Sequence, residues 1–183
     1  MDYEALERVL GHTFQDKALL ETALTHTSFA NGTKHNERLE FLGHSVLSIV
    51  VAEYLFTHSS LPEGDLTRMR ASLVCEAALF TFAQKIGLGR WLRLGHGEEM
   101  GGGRTRPSVV SDAFEAVIAA LYLDGGIDAA RAFILPFVTS ALTKQSAEED
   151  YKTKLQEVVQ QNPSERLRYV VASQTGPDHD KHF

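Results

Sequence analysis

The chain has 183 residues, of which 43% are hydrophobic and 23% charged, the profile of a soluble globular protein with room for one well-cored domain and part of a second. A single cysteine, Cys75, excludes an intrachain disulfide and fits a reducing, cytoplasmic setting. The net charge of −6 argues against a protein that grips nucleic acid by bulk electrostatics, so any case for RNA has to rest on motifs.

The chain opens Met1-Asp2-Tyr3-Glu4, acidic where a secretory signal would be positive. Tyr3, Leu6, Val9 and Leu10 recur at helical spacing, and Gly11 ends that segment. Asp16 is placed to cap a second helix, Lys17 to Leu24, and a polar stretch follows from Thr25 to Asn36. The strongest periodicity runs from Glu37 to Phe56. Its richest part, Val46 to Phe56, is interrupted by Ser48 and Glu53 and falls short of the roughly 20 apolar residues a membrane span needs. No membrane is therefore expected. Pro62-Glu63-Gly64-Asp65 reads as a turn into one helix, Leu66 to Ile86. Gly87 to Pro107 holds seven glycines and reads as one long functional loop. Helices are predicted at Ser108–Leu123 and Ile127–Leu142, separated by Gly125-Gly126. The polar, acidic run 146–150 is expected to be a linker. Beyond it Tyr151–Gln160 looks helical and Leu167–Ser173 looks like a strand.

The acids carry the chemistry. Glu37, Glu40 and His44 stand at i, i+3 and i+7 and share one helix face, and Asp112 and Glu115 share a face of another. Both sets lie in otherwise apolar helices. Carboxylates brought together with little water repel one another, and a hard divalent cation with oxygen ligands relieves that repulsion. Such an ion can also activate water for phosphodiester hydrolysis. Spacing alone leaves the plainer reading open, that these acids form solvated stripes, the first of them with Arg38 and Lys34.

The residues themselves point further. Asn36-Glu37-Arg38-Leu39-Glu40-Phe41-Leu42-Gly43-His44-Ser45-Val46-Leu47 resembles the signature of the ribonuclease III family at every position but one, where the family has aspartate in place of His44. Ala23-Leu24-Thr25-His26-Thr27-Ser28, Pro62 through Ala71, and Gly101-Gly102-Gly103-Arg104 through Leu121-Tyr122-Leu123-Asp124-Gly125-Gly126 resemble further family blocks in the right order. The resemblance implies an all-α nuclease domain over residues 1–145. It implies a homodimer that cuts double-stranded RNA with Mg2+, Mn2+ being a possible substitute, to give 5′-phosphate and 3′-hydroxyl ends. Ribosomal and messenger RNA processing and the absence of an organic cofactor go with it. By position Glu40, Asp112 and Glu115 are its metal ligands, and Glu115 also holds the catalytic water. Glu37 and Asp65 match acidic positions near the scissile strand, and Arg104 and Arg106 are candidates for touching RNA phosphate.

His44 departs from the pattern. Aspartate offers a negative charge and two acceptor oxygens, whereas histidine offers at most one neutral nitrogen. Mg2+ prefers oxygen and Mn2+ tolerates imidazole better. Three outcomes follow: an inactivating substitution, a working site with a shifted metal preference, or a side chain that turns away. The first makes a catalytically silent, duplex-binding member of the family the alternative function.

Asp150-Tyr151-Lys152-Thr153-Lys154-Leu155-Gln156-Glu157, Arg168-Tyr169-Val170-Val171 and Gly176-Pro177-Asp178-His179 resemble the start of a double-stranded-RNA-binding domain. Residues 151–183 thus correspond to the helix and first strand of an incomplete α+β domain, with Thr153, Gln156, Glu157 and His179 as minor-groove contacts. The sequence ends at Phe183, before the family's lysine-bearing second helix. Residues 151–183 carry a net charge of only +1. Weak RNA binding is expected of them. The other histidines show no paired zinc-ligand spacing, and Phe41 and Phe114 are expected to serve the core or a dimer contact.

Overall fold

The computed structural model describes residues 3–29 and 34–160. By its packing the chain divides into two units, Met1–Ala141 and Leu142–Phe183. Among the described residues there is no β-strand, only one isolated bridge between Thr25 and Arg93, as an all-α nuclease domain requires.

The first unit is built from short helices around one apolar helix. Helix α1 (Tyr3–Leu10) ends at Gly11, whose φ of 70° is left-handed and suits glycine. Helix α2 (Lys17–Ala23) starts at Asp16, whose carboxylate accepts the Ala18 amide. Helix α3 (Glu37–His58) buries Leu39, Gly43, Val46, Leu47, Val50, Val51 and Leu55. Over its full length α3 is long and apolar enough to cross a membrane, which the shorter run Val46 to Phe56 is not. Its buried stripe and its polar Glu37, Glu40, His44 and Glu53 mark it instead as a core helix.

The single helix expected over Leu66–Ile86 is two, α4 (Glu63–Val74) and α5 (Glu76–Lys85). They break at Cys75, whose ψ of 158° is extended. Neither glycine nor proline marks that break. The long loop 87–107 is also more ordered than its glycines suggest. It contains a 3-10 turn at Leu88–Trp91, helix α6 (His96–Met100) and a second 3-10 turn at Gly103–Thr105. Arg104 winds it together, donating to the carbonyls of Gly89, Arg90 and Leu92 at 3.0, 3.2 and 2.9 Å and to Glu99.

Helix α7 (Pro107–Gln160) bends at Gly126, where φ is 74° and ψ −174°, as the Gly125-Gly126 pair predicts. Its opening segment is the centre of the unit: Ala113, Phe114, Ala116, Val117, Ile118, Ala119, Ala120 and Leu121 are all buried. A helix apolar on every side must be enclosed by its neighbours. Phe114 anchors an aromatic cluster with Phe82, Phe133 and Phe137. Where the sequence suggests a linker at 146–150, α7 continues, and Thr153, Gln156 and Glu157 fall on its last turns. The strand expected at Leu167–Ser173 and the contact residue His179 lie outside the described residues.

Candidate metal centre

The centre lies where α3 meets the enclosed half of α7. Gly43 allows the approach: a Cβ built there would stand 1.8 Å from the carbonyl oxygen of Glu115. With no side chain in between, Glu40 and His44 on one helix face Asp112 and Glu115 on the other. Ligand oxygens of Glu40, Asp112 and Glu115 all lie within 4.8 Å of one another.

Three carboxylates so close, with little water, disfavour their own ionisation. Burial raises the pKa of Glu40 above the ordinary carboxylate range, and Asp112, Glu115 and Glu37 raise it further. Burial likewise raises Asp112, with Glu76 adding to the rise and His26 opposing it. Glu115, the most buried of the three, is raised by burial against the lowering pull of its bond to His44. No lysine or arginine pairs with any of the three among the described residues. A compact all-oxygen donor set lacking a full counter-charge fits a hard divalent cation such as Mg2+.

His44 does not turn away into bland packing. Its Nδ1 is 2.9 Å from Glu115 Oε1, and its side chain is 59% exposed. Glu37 is mostly exposed, 3.8 Å from His35 Nδ1, and reaches the trio only through its charge. Asp65, on the first turn of α4, pairs with Arg68 and is not one of the clustered acids. The two arginines expected at RNA phosphate are spent on their own loop. Arg104 closes it as described, and Arg106 bonds Glu98 and the Gly101 carbonyl. Phe41 is 80% exposed, whereas Phe114 is core.

Two residues near the centre were not among the expected site residues, although His26 lies in one of the family-like blocks. Glu76 opens α5, and His26 precedes the 3-10 turn Thr27–Phe29; both bear electrostatically on Asp112. His26 is held by backbone bonds that tie its segment to the glycine-rich loop. The His26 amide donates to the Arg93 carbonyl at 3.0 Å, and the Arg93 amide to that of Leu24 at 2.8 Å. Gly95 fits against the Ser28 carbonyl, where a Cβ would stand only 2.2 Å away. That contact is long-range and shows no periodicity.

Residues 16–142 match the model of the family described as Ribonuclease-III-like. The chain is 48% identical over 186 residues to a Ribonuclease 3 of Caldanaerobacter subterraneus subsp. tengcongensis, covering 97% of this chain and 82% of that protein. It is 44% identical over 191 residues to a Ribonuclease 3 of Oceanobacillus iheyensis, covering 100% of this chain and 84% of that protein. Among solved structures it is similar to a nuclease domain of ribonuclease III from Campylobacter jejuni, with a TM-score of 0.72 and 43% identity. The match covers 76% of this chain and 97% of that one, whose description speaks of a region involved in dimer formation.

Proposed function

The chain belongs to the ribonuclease III family of endoribonucleases, and from that premise we propose that it hydrolyses double-stranded RNA with a divalent cation held by Glu40, Asp112 and Glu115. The observation that carries this reading is the convergence of those three carboxylates from α3 and α7, with no lysine or arginine paired to them among the described residues.

Bound there, Mg2+ would supply Lewis acidity toward the phosphate and lower the pKa of a water. Glu40 and Asp112 fix the position of the ion. Glu115, the most buried, holds and orients the attacking water through a carboxylate oxygen. Water adds to phosphorus and the 3′ oxygen leaves, giving 5′-phosphate and 3′-hydroxyl ends. Glu37 and Asp65 act nearer the RNA strand, and neither needs to touch the ion. Thr153, Gln156, Glu157 and His179 belong to the RNA-binding segment and contribute weak groove contacts. Arg104 and Arg106 are not assigned to RNA, because their donors serve the loop. Double-stranded RNA in the cytoplasm is the substrate class, with ribosomal precursors, messengers and foreign duplexes all open as its source.

The working form is a homodimer. Phe41 projects from α3, and its neighbours Leu39 and Leu42 help line a cavity of about 600 Å3 together with Leu19 and Leu123. One surface carrying both a knob and a hole is what a two-fold, self-complementary interface requires.

Replacing aspartate by His44 removes one negative charge from beside the ion and weakens cleavage in Mg2+. The same observation favours a second reading, a silent member that retains duplex RNA without cutting it. The test is incubation of labelled duplex RNA with the chain and with His44→Asp, in Mg2+ and in Mn2+. Cleavage by the chain in Mn2+, and stronger Mg2+ cleavage by His44→Asp, are expected. Retention of the duplex by the unaltered chain with no cutting in either metal, while His44→Asp cuts, would establish the silent reading.

A further inference from the structure

We propose that His44 is itself a metal ligand, and that its ring nitrogen turns this centre from one that favours Mg2+ into one that selects a nitrogen-tolerant dication such as Mn2+. The proposal rests on the metal-site reading above and adds a fourth donor to it.

Its geometry starts from the contact between His44 Nδ1 and Glu115 Oε1, 2.9 Å apart. Two adjacent ligands of an octahedral ion with bonds of about 2.1 Å stand about 3.0 Å apart, so the separation of these two atoms is that of neighbouring ligands of one ion. Glu115 belongs to the trio whose ligand atoms lie within 4.8 Å of one another and His44 does not, so Glu115 is the donor through which the imidazole would join the centre. The ring sits on a side chain that is 59% exposed, which leaves it free to rotate toward an ion held by the trio. The Gly43–Glu115 approach, by contrast, is rigid backbone against backbone and holds the two helices in register. His44 is therefore the adjustable donor of the set.

The charge and softness of that donor decide the selectivity. Three carboxylates and one neutral imidazole carry one negative charge fewer than four carboxylates. Mg2+ binding relies on charged oxygen donors and loses most from the exchange. Mn2+ accepts imidazole and lies higher in affinity for mixed nitrogen and oxygen donor sets.

The experiment loads the whole chain with Mn2+ alone and records electron spin-echo envelope modulation, with calorimetric titration of Mn2+ and Mg2+ in parallel. The expected result is a directly bound nitrogen coupling that disappears in His44→Asp, and a Mn2+-over-Mg2+ affinity ratio at least tenfold larger in the parent than in that variant. Mn2+ bound stoichiometrically, lost in Glu40→Gln, yet with no nitrogen coupling that depends on His44, overturns the proposal while leaving the carboxylate site intact. If Mn2+ binding is indifferent to Glu40→Gln and to Asp112→Asn, the metal-site reading fails and this proposal fails with it. Circular dichroism of each variant separates a lost ligand from a lost fold.

Discussion

Gly43→Ala is the sharpest perturbation of the helix contact that builds the centre. The added methyl carbon would stand 1.8 Å from the Glu115 carbonyl oxygen and 2.5 Å from its carbonyl carbon, while real contacts stay above 3.0 Å. Both obstacles are backbone, so no side-chain rotation relieves them, and α3 and α7 must part by at least about 1.2 Å. Overpacking of this kind costs about 1–3 kcal/mol, and a backbone obstacle belongs at the upper end. Alanine recovers about 1 kcal/mol of helix propensity. The net loss is then about 2 kcal/mol, or roughly a 4–8 °C drop in Tm for a domain of this size. Because the parting also moves Glu40 and His44 away from Glu115, affinity for Mn2+ should fall at least tenfold, about 1.4 kcal/mol. Thermal unfolding with chelator and calorimetric titration read the two effects. A Tm equal to or above the parent's, with unchanged Mn2+ affinity, would refute the close-approach argument, since propensity alone predicts a stabilised helix.

Three further outcomes are expected. The raised pKa values of Glu40, Asp112 and Glu115 mean that the folded, metal-free chain loses stability as pH climbs from the ordinary carboxylate range through those raised values. Glu40→Gln should therefore raise Tm in chelator at pH 7, with the gain shrinking toward about pH 4; a lower Tm at pH 7 would contradict the crowding of the acids. Asp124 works the other way: burial pushes its pKa up, but bonds from the Asp16 and Gln15 amides and from His12 outweigh that and hold it low. It stabilises the fold above the ordinary carboxylate range and loses that effect as pH falls through its depressed value. Asp124→Ala should cost about 1–3 kcal/mol at pH 7 by removing hydrogen bonds to a charged group, measurable by urea unfolding. Phe41→Glu should leave the fold of each subunit intact, since that ring is 80% exposed, and convert dimer to monomer in light scattering; an unchanged dimer would move the interface elsewhere.

Much of this fold is written locally. Asp16 caps α2 because a short carboxylate reaches the Ala18 amide, and Gly126 bends α7 because it occupies left-handed backbone. Acids interrupting apolar helices mark two candidate faces, but spacing alone leaves solvated stripes open, and only the resemblance to the ribonuclease III signature singles out the trio. The break at Cys75 was not legible, since the residues around it favour helix and only packing separates α4 from α5. Nor was the winding of loop 87–107: seven glycines announce freedom, while the restraint comes from Arg104 reaching carbonyls twelve to fifteen residues away. Glu76 and His26 reach Asp112 through tertiary contacts that leave no spacing signal. Gly43 did carry one, a lone glycine inside a strong helix, which costs about 1 kcal/mol of propensity and so calls for a packing reason.

Anomalous diffraction from a crystal soaked in Mn2+ probes the cluster itself. A peak about 2.1–2.3 Å from one oxygen each of Glu40, Asp112 and Glu115 is the predicted outcome. A map with no peak among those three side chains, while manganese orders elsewhere on the molecule, would contradict the account.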